Sequence, residues 1–373
     1  MNRDGKKPLN KRIAIRVDAN QHIGLGHFFR CLNLAKILRQ SCGVESIFFV
    51  LESSLIEIVR AQLSSGGFEC LTCSEKNDPW RDSPSRFIAD CQRLGVVGAL
   101  LDLLAPGNED IDLLQDIPWQ PSPIDDFVGR LETLGLPVFL YSDSLQPMTR
   151  FGRLTINPSP SQNLSHYAAK RHKALLLGPE FHVSDPALKV SNAKKNLGKH
   201  MLAFFGGYDH IGFGSALIDY WKKLSDRPPL RIVIGGGTPN PKHTVDFFRN
   251  HGVDVGLNIQ NMASEYSKAK MTVTAGGTSL YDLAALGVPA AAAATRQRQA
   301  DSIVYLETQG ACINLGLGLD EFTQALPHLF SVFTEESRLQ SLARTGPKII
   351  DGKGGQRIAT AITHALTQEE NRP

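Results

Sequence analysis

Ile13-Ala-Ile-Arg-Val-Asp18-Ala-Asn20-Gln-His22-Ile-Gly24-Leu-Gly26-His27-Phe-Phe-Arg30 is the stretch from which the fold is read. A β-type apolar run ends in polar residues, turns through Gly24 and Gly26, and sets His27 where a helix begins. Gly24 and Gly26 permit backbone angles and close approaches that a Cβ forbids. The free N–H groups at the start of the next helix can face an anion or a developing negative charge. A histidine at that point can exchange protons near neutral pH. The plain alternative is that His27 merely opens a helix.

The strand–turn–helix unit recurs along the chain. Short apolar runs predict strands near 12–18, 46–51, 96–102, 138–142 and 154–157, then 201–205, 231–234, 271–274 and 288–293. Between them, apolar residues at helical spacing predict helices over 28–39, 213–224, 244–250, 262–269 and 280–286. Alternating β and α units call for doubly wound parallel sheets covered by helices on both faces, an α/β class. With 373 residues the chain is too long for one ordinary domain. The polar stretch 186–197 reads as a linker between a first domain, 1–185, and a second, 198–373. The tail helix near 356–366, with Ile358, Ala359, Ile362 and Leu366 along one face, packs as structure in that second domain. Two such domains facing each other leave a cleft at the carboxyl ends of their strands, where ligands bind. Residues 74–130, with Trp80 and Trp119, are the least regular and receive no role.

Composition narrows the function. Lys and Arg number 40 against 37 Asp and Glu, a net charge of +3, and no basic run carries interleaved aromatics. No nucleic-acid partner is expected. The first twelve residues are polar, and no apolar run approaches the ~20 residues of a membrane span, so neither secretion nor membrane insertion is expected. Six scattered cysteines suit free thiols in a reducing cytoplasm. Cys70-Leu-Thr-Cys73 has no second pair to complete a metal site. No metal and no cofactor are expected, and the oligomeric state is not encoded in any motif.

The second half repeats the glycine turns. Phe204-Phe-Gly206-Gly207-Tyr-Asp209, Ile234-Gly-Gly-Gly-Thr238 and Thr274-Ala-Gly276-Gly277-Thr278-Ser279-Leu-Tyr281-Asp282 each follow a predicted strand. Glycines followed by hydroxyl residues at a helix start supply N–H and O–H donors that suit a phosphate or diphosphate. Asp282, about one turn in, is placed to accept from a ribose diol. Equally, Thr278 or Ser279 simply caps the helix, with Asp282 offsetting its dipole. No Gly-Lys-Ser/Thr follows, so none is a Walker A loop, and Gly24-Leu-Gly26 lacks the third glycine of the dinucleotide fingerprint.

Taken in order, Asp18, Ile23-Gly24-Leu-Gly26-His27, Arg30-Cys31-Leu-Asn-Leu-Ala35, Leu177-Gly-Pro-Glu-Phe181, Phe205-Gly-Gly-Tyr-Asp209, Asn261-Met-Ala263, Ala275-Gly-Gly-Thr-Ser279, Leu286-Gly-Val-Pro289, Gln299 and Asp351-Gly-Lys-Gly354 with Arg357 resemble one family. It comprises the UDP-sugar hydrolases of pseudaminic acid synthesis, which cleave UDP-2,4-diacetamido-2,4,6-trideoxy-β-L-altropyranose, and their spore-coat polysaccharide relatives. The resemblance implies the GT-B fold, two Rossmann-like domains facing a cleft, and a nucleotide-sugar (UDP-sugar) as the small-molecule partner. It implies His27 as the base toward water, and Asp18 as a second catalytic residue. Gly24, Gly26, Arg30, Gly206, Gly207, Gly276, Gly277, Thr278, Ser279, Tyr281, Asp282 and Gln299 follow as substrate-binding residues. Asp282 stands where the family usually has glutamate, and Tyr281 where tryptophan or asparagine is common. The loop after Asp102 reads Leu103-Leu-Ala105 in place of a tyrosine-bearing one. Asp143-Ser-Leu-Gln146 follows the family's paired aspartates only in part, and His182-Val-Ser-Asp-Pro186 replaces an aromatic, basic run. Hydrolysis of a UDP-sugar for a pseudaminic- or nonulosonic-acid-type surface sugar is the leading expectation. A glycosyltransferase on the same scaffold and a nucleotide-sugar-binding homologue with altered catalysis are the rivals.

Overall fold

The computed structural model describes residues 11–20, 24–74, 84–103, 123–143, 152–160, 174–188, 198–259 and 261–370. They form two compact units, Met1–Pro186 with Lys353–Pro373, and Ala187–Gly352.

The first unit is built on a seven-stranded sheet in the order β3-β2-β1-β4-β5-β6-β7. Its strands are β1 (Lys11–Val17), β2 (Val44–Glu52), β3 (Glu69–Ser74), β4 (Val96–Asp102), β5 (Val138–Tyr141), β6 (Leu154–Asn157) and β7 (Leu175–Leu177). Every pairing is parallel. The period-2 pleat sends alternate residues to opposite faces. Ile13, Ile15 and Val17 therefore join one core with α1 (Gly26–Ile37), whereas Ala14 joins another with α3 (Pro84–Arg93) and α4 (Pro123–Thr133). Helix α2 (Ile56–Ser65) packs with the first of these cores through Val59 and Leu63. Full burial of each large apolar side chain contributes about 1.5–3 kcal/mol, which is why these runs fix the strands.

The tail helix departs from expectation. It spans Gly354–Glu370, and Ile358, Ala359, Ile362 and Leu366 are buried in the α1-side core of the first unit. Its apolar stripe was legible, its destination was not. The segment expected as a linker lies outside the described residues from 189 onward.

The second unit carries a six-stranded parallel sheet in the order β10-β9-β8-β11-β12-β13. These strands are β8 (His200–Phe204), β9 (Leu230–Ile234), β10 (Asp254–Leu257), β11 (Ala269–Ala275), β12 (Ala290–Ala294) and β13 (Ile313–Leu317). Helices α5 (Phe213–Trp221), α6 (Pro241–Asn250), α7 (Met262–Lys268), α8 (Thr278–Leu286), α9 (Gln297–Thr308), α10 (Gly318–Thr334) and α11 (Glu336–Ile349) accompany it. The final helix of the chain, described above, is α12.

In both sheets the strand order reverses beside the first strand, between β1 and β4 and between β8 and β11. Open α/β sheets bind ligands outside the carboxyl ends of strands at such reversals. Among the described residues no helix is long and apolar enough to cross a membrane.

Candidate active site

At the β1–β4 reversal, register pairs Val17 with Asp102, so both strands deliver their last residues at one level. After β1 the chain closes on itself through Gly24 N–H donating to Asn20 O at 2.7 Å. Gly24 has a φ of +77°, a value that side-chain-bearing residues rarely adopt. Helix α1 then starts at Gly26, and His27 is its second residue. His22 lies outside the described residues.

Helical spacing sets His27, Arg30 and Cys31 on one face of α1. The pleat of β4 turns Asp102 to the same side as Leu100, which belongs to the α1-side core. There Asp102 Oδ1 lies 2.7 Å from His27 Nδ1. Arg30 donates from Nε to Asp102 Oδ2 and from Nη2 to Oδ1, each at 2.6 Å. Cys31 Sγ donates to Asp102 Oδ2 at 3.3 Å. Arg30 Nη2 also lies 2.9 Å from His27 Nδ1, and since a guanidinium has only donors, this is the third side of a triangle around Asp102 Oδ1. An ionised Asp102 accepts from a protonated Nδ1, which leaves the lone pair of the neutral ring on Nε2. On that side stands Asp143, its Oδ2 3.9 Å from Nε2.

The side chains of Asp102 and Arg30 are 1% and 5% exposed. Burial by itself would push the Asp102 carboxyl up, but the Arg30 guanidinium and then His27 outweigh it and hold it below the usual carboxylate range. Burial likewise opposes the Arg30 charge, and Asp102 with Asp143 overcomes it, so the guanidinium is raised well above its ordinary value. Burial and then Asp102 push the Cys31 thiol up, which makes it a hydrogen-bond donor and a poor nucleophile. The Tyr141 ring lies under Arg30, with Cζ 4.4 Å from its centroid.

The carboxylate on His27 Nδ1 is that of Asp102, and Asp18, read from the sequence as a catalytic residue, accepts from Arg16 Nη1 at 2.5 Å. The pleat explains it. Asp18 shares parity with Ala14 and Arg16, on the side away from the α1 core. Arg30, expected on substrate, is engaged by Asp102 and Asp143. From the sequence, neither Asp102 nor Asp143 is assigned a catalytic role. The signal for them was available: each follows an apolar strand run at the parity of a residue in the α1-side core, Leu100 and Tyr141.

In the second unit, Thr274 pairs with Phe204, so the turns after β8 and β11 leave the sheet side by side. After β8, Asp209 anchors the start of α5: its Oδ1 accepts from Gly212 N at 3.0 Å and Phe213 N at 3.1 Å, and its Oδ2 from Gly214 N at 2.7 Å. Burial pushes the Asp209 carboxyl up, against the pull of these N–H groups. The neighbouring turn after β9 approaches so closely that a Cβ on Gly235 would lie 2.3 Å from Gly206 O and 2.5 Å from Gly207 O. Gly206 and Gly207 are thus fixed as backbone, with Gly237 N–H donating to Gly207 O at 2.9 Å.

After β11, Gly277 is the residue before α8 and no side chain caps the helix, so Thr278 and Ser279 are first-turn residues and not its cap. Their N–H groups have no intrahelical acceptor. A Cβ on Gly277 would meet nothing within 4 Å, which describes open space in front of the helix start. A Cβ on Gly276 would lie 3.1 Å from Gln299 Cβ, so Gln299 abuts this turn. The Gln299 Oε1 accepts from Thr295 N at 2.8 Å and Thr295 Oγ1 at 3.0 Å, pinning the loop after β12. The Tyr266 hydroxyl bonds to the Ser279 side chain, and burial pushes it up. Tyr281 is buried, and Asp282 lies a turn further along α8. The structure thus brings Gly206, Gly207, Gly276, Gly277, Thr278, Ser279 and Gln299 to one end of the second sheet. His27, Arg30, Asp102 and Asp143 gather at one end of the first.

No family model matches the chain. The spore coat polysaccharide biosynthesis protein SpsG of Bacillus subtilis is 22% identical over 372 residues, 96% of this chain and 99% of that protein. The uncharacterized protein MJ1062 of Methanocaldococcus jannaschii is 20% identical over 296 residues, 74% of this chain and 54% of that protein. The chain therefore spans about half the length of that relative. Among solved structures, MurG of Acinetobacter baumannii superposes with a TM-score of 0.64 at 14% identity, covering 95% of this chain and 99% of that one. MnaA of S. aureus, solved with UDP, gives 0.62 at 12% identity over 97% and 99% of the two chains. HepE of Anabaena in complex with UDP gives 0.58 at 11% identity over 94% and 100%. With its two parallel, helix-covered Rossmann-like sheets and these likenesses, the chain has the GT-B fold.

Proposed function

We propose that this chain is a nucleotide-sugar enzyme that hydrolyses a UDP-sugar at the anomeric carbon. The observation that carries the reading is the buried Asp102 carboxylate on His27 Nδ1, which leaves Nε2 as a base at the carboxyl end of the sheet. Water attacks C1, its proton passes to His27 Nε2, and the bond from C1 to the diphosphate oxygen breaks. The products are free sugar and UDP. The N–H groups of Thr278 and Ser279, with the hydroxyl of Thr278, are the donors assigned to the diphosphate. Donors already in place for charge that grows on the leaving group favour the transition state over the ground state. Asp282 is assigned to the ribose and Gln299 to the sugar side of the turn.

Support for the ligand class comes from the relatives: SpsG is named for polysaccharide biosynthesis, and HepE and MnaA were solved with UDP. A pseudaminic- or nonulosonic-acid-type surface sugar is the product class that the sequence resemblance favours. The test is incubation with UDP-sugars and no acceptor. Appearance of UDP and free sugar in equal amounts, abolished by His27→Ala, is the expected result. UDP release only when an acceptor hydroxyl is added would make the chain a glycosyltransferase, and UDP binding without turnover would make it a binding protein.

A further inference from the structure

Arg30 stands one turn into α1, where an arginine is well placed to reach an anionic substrate, yet it is directed inward. Its Nε and Nη2 take the two oxygens of Asp102 as a fork at 2.6 Å, and Nη1 lies 3.3 Å from Asp143 Oδ2. The face of its guanidinium rests on Tyr141. A fork bonded to both carboxylate oxygens and stacked on an aromatic ring has a fixed plane, and it fixes the carboxylate plane with it. That plane sets the direction of Asp102 Oδ1, the atom that meets His27 Nδ1.

The neutral ring has one proton and two carboxylates at its ends. Asp102 accepts at Nδ1 from 2.7 Å, and Asp143 stands 3.9 Å from Nε2. Cys31 and Arg30 from the same helix, and Tyr141 from β5, also belong to this cluster. Only the tautomer with the proton on Nδ1 has a free Nε2 lone pair. Arg30 touches both carboxylates, holding Asp102 by two short bonds and Asp143 by one long one.

We propose that Arg30 is a positioning residue: it locks Asp102 so that His27 keeps its proton on Nδ1 and presents Nε2 as the base, and it makes no contact with the nucleotide-sugar. This inference rests on reading His27 as the base.

The experiment is ¹⁵N NMR of the full chain labelled in histidine, with the His27 signals identified by their loss in His27→Gln. Unliganded wild-type protein at a pH where the ring is neutral should show a protonated Nδ1 and an unprotonated Nε2. Arg30→Lys keeps a positive charge and loses the fork. It should show a mixture of tautomers and a kcat lowered on the order of 10²-fold, the lower end of what a positioned base contributes. Its KM and its affinity for UDP should stay within about twofold of wild type. Arg30→Gln keeps Asp102 in place and loses the fork, so it reads the same tautomer shift if the lysine variant fails to fold. A rise in KM and UDP Kd that accounts for the whole loss in kcat/KM, or an unshifted Nδ1–H tautomer in both variants, overturns the proposal. If wild-type protein turns over no UDP-sugar, the functional reading fails while the tautomer measurement still decides the role of Arg30.

Discussion

Alanine at Gly276 and at Gly277 should separate folding from ligand binding within two adjacent residues. At Gly277 (φ −94°, ψ −158°) the backbone is extended and admits a side chain, and the added Cβ meets no atom within 4 Å. Losing a glycine stiffens the unfolded chain and gains about 0.4–1 kcal/mol. Alanine is a poorer residue at a helix start than glycine by a similar amount, so the two effects nearly offset and stability should stay within about 0.5 kcal/mol. The methyl group would, however, take up part of the open space at this turn, to which the diphosphate is assigned. UDP affinity should fall at least about tenfold, or about 1.4 kcal/mol. At Gly276 the Cβ would lie 2.7 Å from Ile303 Cδ1 and 3.1 Å from both Ile303 Cγ1 and Gln299 Cβ. Overpacking of that kind costs about 1–3 kcal/mol, and each kcal/mol lowers the Tm of a unit this size by about 2–4 °C. Calorimetry with UDP and a thermal melt on each variant supply the two readouts. A folded Gly277→Ala protein that binds UDP within twofold of wild type would refute the assignment of the diphosphate to this turn.

His27→Ala should reduce turnover on the order of 10²–10⁴-fold, with the calorimetric Kd for UDP unchanged, since a base acts on the chemical step. Arg30→Met leaves the Asp102 charge buried without its partner and should cost about 3–5 kcal/mol in a urea melt, more than its double with Asp102→Asn. Asp102 titrates below its ordinary range in the folded chain. Its stabilising contribution is therefore complete above its unfolded value, about 3.9, and is lost as the pH falls through the lower folded value. Wild-type protein should consequently lose more stability on acidification below about pH 4 than the double variant, as read from denaturant midpoints. Asp209→Ala removes the acceptor for Gly212, Phe213 and Gly214 N–H and should lower the stability of the second unit by about 1 kcal/mol in a thermal melt.

The interior of both sheets was legible in the sequence because central strands are covered on both faces and read as unbroken apolar runs. The strands passed over are β3, β7, β10 and β13, the outer strands of the two sheets. β3 is Glu-Cys-Leu-Thr-Cys-Ser, β10 is Asp-Val-Gly-Leu, and β13 is Ile-Asn-Leu-Gly-Leu. An edge has one hydrogen-bonded neighbour and exposed flanks, so these three admit polar residues or glycine and their apolar signal thins, whereas β7 is Leu-Leu-Leu and is only three residues long. At the site, the turn carrying His27 and the turn at 276–279 were readable from glycines next to strands. The choice of Asp102 over Asp18 as the partner of His27 was not, because proximity in sequence hides the face of the pleat to which a residue turns. Strand parity, counted from Leu100 and Ala14, separates them. The place of α12 was hidden for a different reason: a stripe of Ile358, Ile362 and Leu366 names the need for a core without saying which one.

That helix closes the first unit with residues distant in sequence. Lys11 Nζ donates to Leu366 O, so the core opened by β1 is sealed by residues made some 355 positions later. Residues 187–352 are by contrast one uninterrupted stretch that is complete before α12 is translated. Removing α12 would therefore uncover the α1 side of the first sheet while leaving the residues of the second unit intact.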